Sequence, residues 1–361
     1  MSSIQLPSMT MLARAKKEKG LYQNPVPTAI GGFSTMWKVL PEFLFNRGKA
    51  YREPKKTLGP FLTRSEVYET APASGLRVTW FGHSSLLIEI DGFRVLVDPV
   101  WEDRAAPSQS FGPKRFFAPT IALEDLPPLD VVLVSHDHYD HLGSHTHAKL
   151  ARSENTARAR WVTSLGVGER LRKFGVDSAR ITELDWTEST EIPAAKGGAV
   201  LRITGWPARH FSGRGLTDRF TTLWSSFVLE GPQHRVYFGA DSGYWPGFAE
   251  IAAQYDRLDL VMLEIGASNP LWEAIHLGPD NATRAYTEMA AALAEKGGAG
   301  LFMPIHWGLF NLALHAWKEP VERMLEIAGE RELPLWLPEP GQPTEVVAGQ
   351  PLVSRWWERW E

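Results

Sequence analysis

The chain has 361 residues, of which 43% are hydrophobic and 22% charged, a composition typical of a globular protein and unlike that of a disordered or fibrous chain. Its 38 basic and 42 acidic residues give a formal net charge of -4 without long runs of one sign, which argues against a nucleic-acid partner. It has no cysteine, which excludes disulfides, thiolate metal sites and cysteine nucleophiles, so any metal must be held by His, Asp or Glu.

Residues 1–74 are rich in proline, glycine and basic side chains and show no sustained apolar periodicity. We predict that they form an extension that packs on the core. The first 20 residues lack the apolar stretch of a secretory signal, and no apolar run approaches the roughly 20 residues that cross a bilayer. We therefore expect a cytoplasmic protein without a membrane span, and a peripheral contact with a membrane remains open.

Beyond this extension, short apolar and β-branched runs predict the strands of a large sheet. The predicted strands cover residues 77–81, 86–90, 94–97, 130–134, 200–204, 224–229, 236–238, 258–265 and 300–304. Asp280 and Gly297 bracket an alanine-rich segment, which predicts a helix over 281–296. This mixture favours an α/β fold in which helices pack on the outer faces of sheets.

A loop directly after the fourth predicted strand contains three histidines and a further carboxylate. His136, His138, Asp140 and His141 place four potential ligands within six residues. Divalent first-row metals bind neutral imidazole and carboxylate well, and a loop that leaves a rigid strand can direct several side chains to one point. The sequence therefore predicts a metal site here. A polar loop with histidines by chance is disfavoured because the chain has only 11 histidines.

This spacing resembles the H-x-H-x-D-H signature of the metallo-β-lactamase superfamily, without a gap. The resemblance implies a four-layer αβ/βα sandwich over residues 75–345, followed by a tail over 346–361. It also implies three further ligands, each after a later strand, and the chain supplies His210, Asp241 and His306 at such positions. Each of the three follows a segment whose residue pattern predicts a strand or extended chain.

Carried over position by position, the resemblance distributes these side chains over two divalent ions, most often zinc, with manganese or iron as alternatives. The first ion would be held by His136, His138 and His210, the second by Asp140, His141 and His306, with Asp241 as the bridge. A hydroxide between the ions would be the nucleophile, because each cation lowers the pKa of bound water toward about 7. Di-iron oxidative relatives have Glu at the position of His138, so the histidine favours hydrolysis.

The segments around these ligands point to one branch of the superfamily. They resemble N-acyl phosphatidylethanolamine-hydrolysing phospholipase D, which cleaves a phosphodiester, over residues 80–85, 98–100, 138–142, 209–214, 223–227, 239–244 and 305–308. The resemblance implies a small phosphodiester or a phospholipid as the substrate. A lactonase or other ester hydrolase with the same metals is the alternative, and a metal-stabilised binding protein without turnover is the third reading.

Four further histidines near these segments lie outside the ligand set, and only some of them are candidates for a role in the site. His276 lies in a loop from which it can bind a phosphate or protonate a leaving group, so it joins Asp140 and Asp241 as a candidate catalytic residue. A structural loop histidine is the equally weighted alternative. His83 is expected either to support the metal ligands or to bond to the backbone. Two more histidines are not needed for the ligand set and are expected at the surface: His145 and His147.

A phospholipid substrate needs an apolar groove for its acyl chains. Tryptophan rings are amphipathic and suit such a groove, although core packing explains most of the 15 tryptophans equally well. Five apolar residues of the N-terminal extension are candidates for the wall of an acyl channel: Phe33, Trp37, Phe43, Leu44 and Phe45.

Overall fold

The computed structural model describes residues 11–30, 52–195, 197–215 and 217–360. Its strands are β1 (Lys17–Glu18), β2 (Leu21–Tyr22), β3 (Leu76–Trp80), β4 (Leu86–Ile90), β5 (Phe93–Val97), β6 (Val131–Val134), β7 (Arg160–Ser164), β8 (Ile181–Leu184), β9 (Ser189–Pro193), β10 (Val200–Pro207), β11 (Ser225–Glu230), β12 (Arg235–Phe238), β13 (Leu258–Glu264), β14 (Ala299–Ile305), β15 (Trp336–Leu337), β16 (Thr344–Glu345) and β17 (Leu352–Val353). The α-helices within these ranges are α1 (Ser144–Leu150), α2 (Gly168–Lys173), α3 (Gly247–Ala253), α4 (Gly278–Leu293) and α5 (Glu319–Arg331). None of these helices combines the length and the apolar character that a bilayer crossing requires.

The first large sheet contains seven strands in the order β16-β3-β4-β5-β6-β7-β8. Strands β3, β4 and β5 form an antiparallel meander, in which Asp91 and Gly92 make the turn between β4 and β5 with positive φ angles of 50° and 90°. Strands β5 to β8 run parallel. Parallel neighbours need a crossover connection, and α1 and α2 supply two of these crossovers.

The second large sheet contains six strands in the order β14-β13-β12-β11-β10-β9. Strands β9 to β12 pair antiparallel, whereas β12, β13 and β14 run parallel, with α3 and α4 as their crossovers. The carboxyl ends of these parallel strands lie at one edge of the sheet. That edge is where ligand-binding loops collect in α/β proteins.

Alternation of side chains along the strands decides which residues lie between the two sheets. Leu86 and Ile88 of β4 belong to the buried core that also contains residues of the second sheet. Leu87 between them points to the other face of the pleat and belongs to a separate cluster with Leu150 of α1 and Leu171 of α2. Helices α4 and α5 pack on the far side of the second sheet. The order helix, sheet, sheet, helix confirms the predicted four-layer αβ/βα sandwich.

Both ends of the described chain contact the core. Asn24 Nδ2 donates a hydrogen bond of 2.8 Å to the backbone carbonyl of His210. Near the C-terminus Trp356 is buried, and its ring stacks on Trp307 with 5.5 Å between the ring centres. The domain limits at 75 and 345 remain a prediction. The residues predicted to wall an acyl channel lie outside the described residues: Phe33, Trp37, Phe43, Leu44 and Phe45.

The elements match the sequence pattern with two kinds of difference. Helix α4 begins at Gly278 rather than at residue 281, because Pro279 occupies its first turn, where a missing N–H breaks no hydrogen bond. Asp280 consequently lies inside the first turn instead of preceding it. Strands β7, β8 and β9 were not predicted, because their mixed polar and apolar residues give no clear strand period. The two-residue strands β1, β2, β15, β16 and β17 and the helices α2, α3 and α5 were not predicted either.

The prediction that His147 lies at the surface is wrong, whereas His145 is exposed as expected. His147 is fully buried, and its Nδ1 donates a hydrogen bond of 2.8 Å to the carbonyl of Gly143. His147 and Leu150 both point inward because residues three apart share one face of a helix. Burial lowers the pKa of His147 to about 4, so the buried ring is neutral at neutral pH.

This buried ring makes a testable contribution to acid sensitivity. The unfolded chain binds a proton on His147 below about pH 6.5, whereas the folded chain binds it only near pH 4, so folding loses stability as the pH falls through this window. We compare the decrease in the free energy of unfolding between pH 7 and pH 5. This decrease should be about 2 kcal/mol smaller for a His147→Leu variant than for the wild type. Chemical denaturation at both pH values measures the difference.

The matched control is His145→Leu, which removes an exposed histidine from the same helix. Its free energy of unfolding should keep the pH dependence of the wild type. If His147→Leu also keeps that dependence, the ring does not titrate as its burial requires.

Candidate metal centre

The predicted ligands meet at one end of the sandwich, just beyond the ends of strands from both sheets. The loop after β6 carries four of them, and one follows each of β10, β12 and β14: His136, His138, Asp140, His141, His210, Asp241 and His306. They fall into two neighbouring groups, within each of which the ligand atoms all lie within 4.8 Å of one another. The structure therefore brings all seven predicted residues together.

The first group contains His136, His138, His210 and Asp241. Nε2 of His136 lies 2.9 Å from Nδ1 of His138, and Nε2 of His210 lies 3.3 Å from the same Nδ1. Oδ2 of Asp241 lies 3.6 Å from Nε2 of His210 and 3.9 Å from Nε2 of His136. Three ring nitrogens and one carboxylate oxygen thus converge, a donor set that suits a tetrahedral divalent ion.

The second group contains Asp140, His141 and His306, together with His83. Oδ1 of Asp241, the other oxygen of the same carboxylate, lies 3.1 Å from Nε2 of His141 and 3.0 Å from Nδ1 of His306. Oδ2 of Asp140 lies 3.5 Å from Nε2 of His141. Asp241 therefore turns one oxygen toward each group.

The chemistry of these atoms fits bound metal ions. Nε2 of His141 and Oδ1 of Asp241 are buried and lie 3.1 Å apart, yet neither makes a hydrogen bond of acceptable geometry within the described part of the chain. Buried polar atoms without a partner are rare in folded proteins, and a bound ion is one of the few explanations for them. Neutral imidazole and carboxylate are also donors that divalent first-row ions accept. The residues present therefore fit two such ions.

Asp98, the first residue after β5, fixes the orientation of two ligand rings. Its Oδ2 accepts hydrogen bonds from His141 Nδ1 at 2.7 Å and from Ser135 Oγ at 2.6 Å, and its Oδ1 accepts one from the backbone N–H of Ser135 at 2.7 Å. Because the hydroxyl proton of Ser135 goes to Asp98, its oxygen accepts from His136 Nδ1, 2.9 Å away. Each ring thereby keeps Nε2 free for a metal, the usual effect of a carboxylate behind a metal-binding histidine.

His83 supports the second group from behind. Its Nε2 donates a hydrogen bond of 2.9 Å to Oδ2 of Asp140. Burial, reinforced by the charge of nearby His306, lowers the pKa of His83 to about 3, so the ring is neutral and donates from one nitrogen only. This contact favours the predicted supporting role over a histidine bonded to the backbone alone.

The backbone that carries His83 and His306 is strained and tightly joined. His83, Ala240 and His306 have positive φ angles of 56°, 51° and 62°, a conformation that few non-glycine residues adopt. The N–H of His306 donates to the carbonyl of His83 at 2.9 Å, and the N–H of His83 donates to the carbonyl of Trp307 at 3.2 Å. Only glycine fits at Gly266, since a Cβ there would lie 1.8 Å from the His306 carbonyl oxygen. These contacts lock the ends of β3, β13 and β14 together.

Arg214 holds the loop that carries the first four ligands. Its Nη1 donates hydrogen bonds to the carbonyls of Asp137 at 2.8 Å and Leu142 at 2.7 Å, one residue beyond each end of the segment 138–141. Its guanidinium lies 3.9 Å from the ring centre of Tyr139, and the Tyr139 hydroxyl donates back to the Arg214 carbonyl at 2.9 Å. The loop is thus fixed by a residue that lies 72 to 77 positions away from these partners in sequence.

Burial keeps the ligand rings of the first group ready for a metal. It lowers the pKa of His136, His138 and His210 below the ordinary histidine value, so their lone pairs are free at neutral pH. Burial acts to raise the pKa of Asp241, but the neighbouring histidines, His141 first, outweigh it and hold that pKa well below its usual range. The first group therefore presents neutral rings beside an ionised carboxylate. Burial acts to lower the pKa of His141, but the carboxylates of Asp241 and Asp140 outweigh it and raise that pKa well above the ordinary histidine value.

The sequence interpretation identified His276 as a candidate but missed Glu264. The ring of His276 lies 5.0 Å from that of His210 and 5.4 Å from that of His306, measured between ring centres, and the side chain is 13% exposed. Glu264 is fully buried and forms a third group of close ligand atoms with Asp241, His276 and His306. The available signal was its position as a carboxylate at the end of an apolar strand, next to strands that deliver ligands in the same way.

Known proteins resemble this chain in sequence and in fold. Residues 93–307 match the family described as "Beta-lactamase superfamily domain". An uncharacterized protein of Mycobacterium tuberculosis is 45% identical over 285 residues, which cover 79% of this chain and 72% of that protein. An N-acyl-phosphatidylethanolamine-hydrolyzing phospholipase D of Caenorhabditis elegans is 35% identical over 266 residues, or 72% of this chain and 71% of that protein. The structure of an isothiocyanate hydrolase from Delia radicum gut bacteria shares the fold, with a TM-score of 0.55 and 19% identity over 75% of this chain and 100% of that one.

Replacing Asp98 with Asn should weaken metal binding while the fold persists. The amide presents an N–H where His141 Nδ1 and Ser135 need an acceptor, so the ligand rings lose their fixed orientation. We expect the affinity for zinc to fall about 10- to 100-fold, measured by competition with a chromophoric chelator.

The control for this variant is Asp91→Asn. Asp91 also accepts a hydrogen bond from a histidine, His234 Nδ1 at 2.7 Å, but it lies at the turn between β4 and β5. Its zinc affinity should equal that of the wild type. Equal affinities for the two variants would contradict the role of Asp98.

Proposed function

The chain belongs to the metallo-β-lactamase superfamily, and from this membership we propose that it is a dinuclear metal-dependent hydrolase whose substrates are phosphodiesters. The observation that carries the proposal is the carboxylate of Asp241. Its Oδ2 faces His210 at 3.6 Å, and its Oδ1 faces His141 and His306 at 3.1 Å and 3.0 Å. A carboxylate so placed supports two cations a few Å apart, the arrangement that two-metal hydrolases use.

Each ion would be held by three side chains of its own and by the shared Asp241. The first would take His136, His138 and His210, and the second would take Asp140, His141 and His306. A donor set rich in imidazole suits zinc, and manganese or iron are the alternatives. When bound, the ions would lower the pKa of bound water toward about 7 and polarise the oxygen of the scissile group.

His276 is the residue of this site that we assign to the substrate. Its ring packs beside His210 of one group and His306 of the other, so it borders both proposed ions. Its Nδ1 is occupied by Glu264 at 2.7 Å, which leaves Nε2 as the ring nitrogen for a substrate. With its proton on Nδ1 the neutral ring offers only the lone pair of Nε2. Donation to a phosphate oxygen or protonation of the departing oxygen would therefore require the doubly protonated ring, which an ionised Glu264 would stabilise.

The substrate class rests on the relatives. The phospholipase D of Caenorhabditis elegans is named for the hydrolysis of N-acyl-phosphatidylethanolamine, and it shares 35% of its residues with this chain over the aligned region. We therefore propose a phosphodiester, and more narrowly an N-acyl phospholipid reached by peripheral contact with a membrane. A lactone or other ester cleaved with the same metals is the alternative.

The first test combines metal analysis with two simple substrates. We expect about two equivalents of metal per chain and hydrolysis of bis(p-nitrophenyl) phosphate. Asp241→Asn keeps the size of the side chain but removes the shared charge, so it should lower bound metal and reduce the hydrolytic rate by more than about 100-fold. Elemental analysis and release of p-nitrophenolate measure the two effects.

The control is Asp259→Asn. Asp259 belongs to β13 and accepts the backbone N–H of Arg235 at 2.7 Å, near the opposite ends of these strands, so the variant should keep metal and activity. Wild-type metal content and rate in Asp241→Asn would sink the proposal. If the protein cleaves a simple lactone but not the phosphodiester, its substrates are esters rather than phosphodiesters. If it binds two metals but cleaves neither compound, a binding protein is favoured.

A further inference from the structure

Glu264, the last residue of β13, is a fully buried carboxylate that the proposed ligand set does not use. Its Oε1 accepts hydrogen bonds from the backbone N–H groups of Ser242 at 2.8 Å and Leu277 at 3.2 Å. Its Oε2 is hydrogen-bonded to His276 Nδ1 at 2.7 Å. Burying a carboxylate is costly unless such donors satisfy it, so these three contacts define what the group is placed to do.

These contacts join the end of β13 to two loops of the site. Ser242 follows the bridging Asp241, and Leu277 follows His276 at the start of α4. Glu264 therefore fixes the distance between the loop that bears Asp241 and the loop that bears His276. Both oxygens of the Glu264 side chain are thereby engaged in hydrogen bonds.

The ring of His276 depends on Glu264 for its orientation. It has ligand rings on two sides, His210 at 5.0 Å and His306 at 5.4 Å, but Glu264 makes the hydrogen bond to its Nδ1. A ring held by one nitrogen presents the other in a fixed direction and in one tautomer.

We propose that Glu264 is a positioning residue, which holds His276 through Nδ1 and so presents Nε2 to the substrate between the two groups of ligands. This inference rests on the proposed function only in that His276 is assigned to the substrate. The contact between the two side chains stands independently of the reaction.

A double-mutant cycle in the zinc-loaded full chain tests the coupling, with kcat for bis(p-nitrophenyl) phosphate as the readout. We expect Glu264→Gln to lower kcat about 10- to 100-fold while KM changes less than about 3-fold. His276→Ala should lower kcat at least as much. In a protein that already carries His276→Ala, adding Glu264→Gln should lower kcat by less than about 2-fold further. If the double variant instead loses the product of the two single-variant factors, the residues act independently and the proposal is overturned.

A spectroscopic readout tests the same contact without any activity. In zinc-loaded protein labelled with ¹⁵N at histidine, the ring nitrogens of His276 report which of them carries the proton. We expect one fixed tautomer in the wild type and averaging between the two tautomers in Glu264→Gln. An identical ring spectrum in both proteins would overturn the proposal, even where the substrate proves not to be a phosphodiester.

Metal content separates positioning from ligation. Glu264→Gln should retain about two zinc ions per chain, and loss of one would make Glu264 a ligand and overturn the proposal. Glu183→Gln is the matched control, because Glu183 of β8 also accepts two backbone N–H groups, from Gly166 at 2.6 Å and Gly168 at 3.0 Å. In the described part of the chain Glu183 makes no hydrogen bond with a histidine, so this variant should keep kcat within about 2-fold of wild type.

Discussion

Two sets of imidazole rings face each other across the carboxylate of Asp241, and this contact sets the strictest demand on the fold. Its Oδ1 lies 3.0 Å from His306 and its Oδ2 lies 3.6 Å from His210. A buried charge among so many ring nitrogens is stable only where cations or protons balance it and the geometry is held. Strands of both sheets must therefore end close together, at the same end of the sandwich. The parallel strands of the two sheets meet that requirement. The residues just beyond β3, β5, β6, β10, β12 and β14 each contribute a ligand or a support.

An aromatic core behind the site makes these strand ends rigid. Trp80 ends β3, and its Nε1 donates a hydrogen bond of 2.9 Å to the carbonyl of His83. Its ring lies 5.3 Å from that of Trp307, the residue after His306, and Trp307 stacks in turn on Trp356. Large buried rings resist displacement because interiors are close-packed. The end of the chain therefore stabilises the ligands although it lies far from them in sequence.

The sequence predicted what depends on short spacing and on regular periodicity. The segment 136–141 and the apolar strand before it identified four ligands, and the later ligands needed the resemblance, because nothing local relates His210 to His306. Glu264 was missed because one carboxylate after an apolar strand has no spacing signature, and only the fold brings it to His276 at 2.7 Å. His147 was misplaced because its position after a metal loop was weighed above the helical period that turns it inward.

Under the proposed function, the residues that would hold the metals differ from those that would distinguish one substrate from another. The metal ligands and their supports would serve a phosphodiester and an ester alike, since both present a polarised oxygen to two cations. The segment between β13 and α4 stands apart from these ligands. There His276 lines a cleft of about 310 Å³ with Asn269 and Glu273, and none of the seven proposed ligands lines that cleft. Under the proposed function, the choice between a phosphodiester and an ester would therefore depend on residues such as His276, which border the ligands without belonging to either ligand set.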